Sequence, residues 1–167
     1  WEWPSPGQLQ PPGGAPVLDL ADVEPGRLAH EVREALRLAE WRAAAARRPK
    51  DMAGIERGID REATWSLPRD RHATAYQKGV VRTIICGGTW TGDRLQRCKV
   101  IPSGECRYCP LPVLEDQRHR FWKCSAWDDI RQRHPAATGT YRDDWPECLA
   151  CCGIMPDDLE PPAAAGA

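Results

Sequence analysis

The chain has 167 residues, with sixteen Pro and fourteen Gly against one Phe and two Met, and a formal net charge of −1. That length allows one modest domain or two small ones, and the composition allows only a small apolar core. No apolar run is long enough to cross a bilayer, which excludes a helical membrane span, and no signal peptide is expected.

Charge is unevenly spread. Residues 1–25 hold four acids and no base, and residues 26–68 hold nine bases and seven acids. Residues 69–133 hold thirteen bases and seven acids, an excess of +6, while 134–167 hold one base and six acids. The basic excess points to contact with a polyanion. The plainer alternative is a solvated Arg-rich surface. The chain opens on Trp1 and reads as a fragment of a longer product.

Residues 1–25 lack periodicity and read as a disordered linker, with Val17-Leu18-Asp19-Leu20 as its one apolar patch. Residues 26–100 read as a helical region. A first helix is predicted over 26–48, because Leu28, Val32, Leu36 and Ala39 recur every three or four positions. Glu31 and Glu34 lie early in it and Arg42, Arg47 and Arg48 late, as the helix dipole favours, and Pro49 ends it. Arg37, Arg47, Arg48 and Lys50 form either a phosphate-contacting set or a solvated face.

A shorter helix is predicted within 50–68, where Met52, Ile55, Ile59 and Ala63 keep helical spacing although Gly54 and Gly58 weaken it. A third is predicted over 69–86, with Ala73, Tyr76, Val80 and Ile84 on one face and Gly87-Gly88 as its stop. Residues 87–101 read as a turn and a short helix, with Thr91 as N-cap and Asp93 in its first turn. Trp90 is expected to anchor packing, a base-stacking platform being the alternative.

Residues 101–155 read as a zinc-binding module with C-terminal helices. Cys106, Cys109, His119 and Cys124 follow the spacing C-x2-C-x9-H-x4-C. Three thiolates and an imidazole complete a tetrahedral Zn²⁺ site. The CxxC pair can grip the ion from one turn. The H-x4-C half can grip it from a short helical turn and the residue that follows. A catalytic zinc would need an open position, and apart from the nearby Glu115 and Asp116 nothing suggests one.

Ser125-x-x-Asp128 fits a capping box for a helix from Ala126 to His134, ended by Pro135, and Trp127 is placed against the site. His134 is the nearest spare ligand but suits an exposed helix end. Arg118, Arg120, Lys123, Arg131 and Arg133 surround the site, interleaved with Phe121 and Trp122. Basic and aromatic side chains of this kind hold single-stranded nucleic acid, phosphates on the cations and bases on the rings. Residues 136–145 read as a loop, and PECLACC as a short helix closed by Gly153. Cys148, Cys151 and Cys152 are read first as buried thiols, and otherwise as part of a second metal site with Cys86 or Cys98. Residues 156–167 read as a disordered tail.

The CxxC…HxxxxC motif followed by Trp127, the upstream GGTWTGDRLQR, and the stretch from WRAAAARRPKDMAGIERGIDREAT at Trp41 to WPECLACCGIMP carry a resemblance. The chain resembles the C-terminal zinc-binding region of non-LTR (LINE-type) retrotransposon polyproteins, of the kind found in dinoflagellate genomes. The resemblance implies Cys106, Cys109, His119 and Cys124 as Zn²⁺ ligands. It also implies a non-enzymatic module of a polyprotein whose parent is an RNA-directed DNA polymerase.

The fold class expected is mainly α: a small helical domain stapled by a CCHC zinc site, with disordered Pro/Gly-rich ends. The partners expected are RNA or single-stranded or nicked DNA, together with the rest of the parent polyprotein and no membrane. The location expected is intracellular, in the nucleus or shared between nucleus and cytoplasm. Two other classes remain: a structural or protein-interaction zinc module, and a decayed metal-dependent enzyme domain.

Overall fold

The computed structural model describes residues 1–11, 16–134 and 141–159. Helices make up about half of the chain, and a three-stranded sheet is added to them. The chain forms two compact units, Trp1–Ala44 and Ala45–Ala167. The division falls near the end of the first long helix.

In the first unit, the segment expected to be a disordered linker carries the sheet. Strands β1 (Glu2–Ser5), β2 (Gln8–Gln10) and β3 (Leu18–Asp19) pair antiparallel in that order. Pro6 and Gly7 turn β1 into β2, with Gly7 at φ +84°, a conformation that Gly adopts without a Cβ penalty. Leu9 and Leu18 face each other across β2 and β3 and are both buried. Strands of two to four residues are too short to show a period of two, which is why the composition hid them.

Helix α1 spans Pro25–Arg47, within a residue of expectation, and opens on Pro25, where a missing N–H costs nothing. Its orientation differs from expectation. Leu36 is 59 % exposed and Val32 is also exposed, whereas Ala35, Leu38 and Trp41 are half-buried and Ala45 is buried. Alanines on several faces let the periodicity give the helix without its buried side.

In the second unit, Pro49 both stops α1 and starts α2 (Pro49–Met52). The single helix expected over 50–68 is broken. Gly54 and Gly58 take φ of +111° and +107° and flank a 3-10 turn at Ile55–Arg57. Helix α3 (Arg61–Arg69) then starts at Asp60, whose carboxylate accepts the Ala63 N–H at 2.9 Å. Helix α4 (Ala75–Ile85) starts at residue 75 rather than 69, at a capping box between Thr74 and Gln77. It turns Ile85 inward and leaves Tyr76 81 % exposed, opposite to the expected apolar face. Helix α5 (Gly92–Arg97) has Thr91 as its N-cap, as expected.

Helix α6 (Asp128–Arg133) is shorter than predicted. Residues Ser125–Trp127 form a 3-10 turn instead, and the Ser125 capping box is not made. Helix α7 (Glu147–Cys152) ends at Gly153 in the left-handed region, as expected.

The core of this unit lies between α7 and the α2–α3 region. Met52, Ile55, Cys148, Ala150, Cys152 and Ile154 are buried there. The chain beyond α7 is tied down as a strap. Cys148 N–H donates to Ala53 O, Asp60 N–H to Met155 O, and Met155 N–H to Thr64 Oγ1, at 2.9–3.0 Å. Arg57 pairs with Asp158 at 3.0 Å, so the expected disordered tail is structured at least to Leu159. Its remainder lies outside the described residues. Gly54 lies tight against the start of α7. A Cβ there would lie 2.7 Å from Cys148 Sγ and 2.8 Å from Pro146 Cβ.

Candidate metal centre

Two local structures carry the four ligands. The first is a hairpin over residues 104–115. Cys106 N–H donates to Val113 O and Glu115 N–H to Gly104 O, both at 2.8 Å, and Glu105 bridges Leu114. The tip of this hairpin presents Cys106 and Cys109. The second is a π-helical turn, His119–Lys123, closed by Cys124 N–H donating to His119 O at 2.7 Å. A bond from i+5 back to i widens the turn and sets His119 and Cys124 side by side. Asp116 Oδ1 accepts the His119 N–H at 2.7 Å and fixes where this turn begins.

The four donor atoms lie within 4.8 Å of one another. Cys106 Sγ and Cys124 Sγ are 3.7 Å apart, and Cys109 Sγ and His119 Nε2 are 3.5 Å apart. A tetrahedral ion with ordinary Zn–S and Zn–N lengths requires donor separations of ~3.8 Å and ~3.6 Å for such pairs. The residues therefore fit a metal ion. Cys124 and His119 are buried, and Val113 and Trp127 pack against the cysteines, with the Tyr108 ring 5.2 Å from that of Trp127.

The thiols differ in acidity. Burial opposes ionisation of Cys106, but the N–H groups of Tyr108 and Cys109 turned toward it bring it down to about 7. Burial, with the neighbouring Cys106 and Cys109 sulfurs, pushes Cys124 up to about 11. A dication offsets the crowding of these sulfurs, so metal binding releases protons.

The support around the ligands is polar and connected. Glu115, 3 % exposed, accepts the Gly92 N–H at 3.1 Å and the Arg120 Nε–H at 2.7 Å. Arg120 also donates to Trp90 O at 2.8 Å. Gly92 sits so close that a Cβ would lie 2.8 Å from both Glu115 Oε2 and Gly104 O. The upstream GGTWTG stretch thus serves as backing for the hairpin.

The seven residues expected to touch nucleic acid divide differently from the ligands. Arg118 faces inward. Its guanidinium donates to both Glu147 oxygens at 3.0 and 3.1 Å, to Trp145 O at 2.6 Å and to Tyr141 Oη at 3.1 Å. Burial opposes its charge, but Glu147 and Tyr141 more than compensate and hold it protonated. Trp122 is also a packing anchor. Its indole N–H donates to Ala150 O at 2.7 Å, and its ring stacks on Tyr141 at 5.0 Å and meets Trp145 edge-on.

Arg131 reaches Phe121 O at 3.3 Å and pairs with Asp128. Lys123 and Arg133 are more than half exposed, paired with Asp143 and Asp129. Phe121 is half-buried and lines an apolar groove of about 620 Å³ with Ile84, Trp127 and Ile130. Trp90, expected to pack, is 55 % exposed.

Among the described residues, the Cys3His set is the one group of three or more potential ligands brought together. The alternative second site does not form. Cys151 and Cys152 turn their thiols toward Lys50 O and Asp51 O. Burial pushes Cys148 up to about 11 and Cys152 up to about 12, and raises Cys151 as well, so all three stay neutral thiols at pH 7. Brief iodoacetamide treatment of the native protein is expected to modify the exposed Cys86 and Cys98 and spare these three. Peptide mass mapping reads this out, and equal labelling of α7 would show that its packing opens freely.

No family model, curated protein or solved structure matches the chain. Among the described residues, no helix is long and apolar enough to cross a membrane.

Proposed function

We propose that Cys106, Cys109, His119 and Cys124 hold a structural Zn²⁺. The module it staples would bind single-stranded RNA or DNA as an accessory part of a retroelement-type polyprotein, with the chemistry performed elsewhere in the parent chain. The observation that carries the first half is the donor set itself. Four protein atoms at tetrahedral spacing, walled by Trp127 and Val113, fill every position of a four-coordinate ion. A decayed hydrolytic domain would need one position open to water. The second half is supported by the +6 excess over residues 69–133, which contain the ligands, and by the sequence resemblance.

The test is metal content by native mass spectrometry, paired with binding of labelled single-stranded RNA and DNA at increasing salt. One zinc per chain and affinity that falls steeply with salt are expected. Absence of metal removes the staple. Absent or salt-insensitive binding removes the nucleic-acid role. The apolar groove beside Phe121 and Trp127 favours a second reading, a protein-interaction module. That reading predicts zinc without any affinity for nucleic acid.

A further inference from the structure

Of the cations expected to meet phosphate, those beside the metal centre are largely held by internal partners, whereas Arg47 and Lys50 around the end of α1 have no carboxylate partner among the described residues. They line a cleft of about 790 Å³ whose walls are the end of α1, α2, α5, residues 114–118 and α7. Six basic and four acidic side chains line it. Three of the acids are taken by guanidinium groups: Asp51 by Arg48, Asp93 by Arg97 and Glu147 by Arg118. The fourth, Asp116, accepts the His119 N–H.

Arg47, Lys50 and Arg94 remain, with no carboxylate partner among the described residues. Arg47 and Lys50 are exposed on either side of Pro49, at the last turn of α1 and the first of α2. Arg94 is already oriented. It donates to Gly87 O at 2.5 Å, and its guanidinium lies over the Trp90 ring at 4.9 Å.

We propose that this cleft is a phosphate-binding site, with Arg47, Lys50 and Arg94 as the contacts and Trp90 as a stacking surface for the attached base. The cleft's excess of two positive charges suits successive phosphodiesters or the phosphates of a nucleotide. Arginine prearranged by stacking loses less freedom when it takes a second partner. An aromatic ring beside it adds affinity that a bare phosphate does not receive. The proposal deepens the nucleic-acid reading and moves its contacts away from Arg118 and Trp122. Residues 114–118 lead directly into His119, so the metal-bearing segment forms one wall.

The experiment uses the full zinc-loaded chain and three probes: a short fluorescein-labelled oligothymidine, ATP and inorganic pyrophosphate. The triple variant Arg47→Ala, Lys50→Ala, Arg94→Ala is compared with a charge-matched variant of α1, Arg27→Ala, Arg33→Ala, Arg42→Ala. Unchanged zinc content verifies that each is folded. The cleft variant is expected to weaken oligonucleotide binding at least about tenfold and lower the salt slope by about two, against little change in the α1 variant. Trp90→Ala is expected to weaken oligonucleotide and ATP but not pyrophosphate.

Equal affinity of the two triple variants overturns the cleft while leaving the nucleic-acid reading intact. Binding of ATP or pyrophosphate alone, lost in the cleft variant, upholds the cleft and overturns the nucleic-acid reading. No binding of any probe overturns both.

Discussion

Cys124→Ser protein is expected to emerge from purification without zinc and without an ordered segment over residues 104–134. Cys124 is fully buried, and the turn it closes also carries His119. The hairpin it faces buries little apolar surface besides Val113, since Tyr108, Leu111 and Leu114 are about half exposed. In small metal-bound domains the ion supplies on the order of 10 kcal/mol of folding free energy. A serine oxygen is a much poorer zinc ligand than a thiolate, so most of that contribution goes. Metal analysis after gel filtration, with near-ultraviolet circular dichroism reporting Trp127 and Tyr108, checks this. Cys148→Ser is the comparison: an equally buried thiol outside the ligand set, expected to lower stability while retaining zinc. A Cys124→Ser chain with a full equivalent of zinc and an unchanged spectrum would refute the assigned ligand set.

Arg118→Ala is expected to lower stability by about 2 kcal/mol while leaving zinc bound. The side chain is 18 % exposed and joins the approach to His119 with the loop before α7. Breaking a buried ion pair costs ~3–5 kcal/mol, and the figure here is smaller because Glu147 is 37 % exposed and water reaches it. Arg118→Lys keeps the charge but not the fork, so it is expected to recover less than half of the loss. Denaturant midpoints measure both, and hydrogen exchange over 141–147 locates the effect. A wild-type midpoint for Arg118→Ala would mean that the fork does not secure this loop.

The same arginine shows how far the sequence could be read. The Cys3His set was legible because ligand chemistry is local: two cysteines on one turn and an H-x4-C step on the next. Its neighbours were not. Alternating Arg, Phe, Trp and Lys looks alike whether the side chains point to solvent or to a partner segment. What separates these cases is an acceptor 29 residues away, Glu147, in an acidic stretch that composition alone does not pair with the basic one. Helices α1 and α7 were read nearly to the residue from Pro25, Pro49 and Gly153. Their burial depends on distant elements, which is why the faces of α1 and α4 came out turned. The cleft has the same origin. Arg47 and Lys50 are near neighbours in the chain, but Arg94 joins them only through tertiary packing.

The strap that closes the second unit bears on how this chain can be made. Cys152 reaches Asp51 across 101 residues, and Met155 reaches Thr64 across 91. During synthesis α2 and α3 leave the ribosome on the order of ten seconds before their cover exists. Met52 and Ile55 stay bare for that interval, however early the Cys3His segment folds. A ribosome stalled before α7 would therefore display a sticky, half-made unit, the kind of surface that holdase chaperones and proteases recognise.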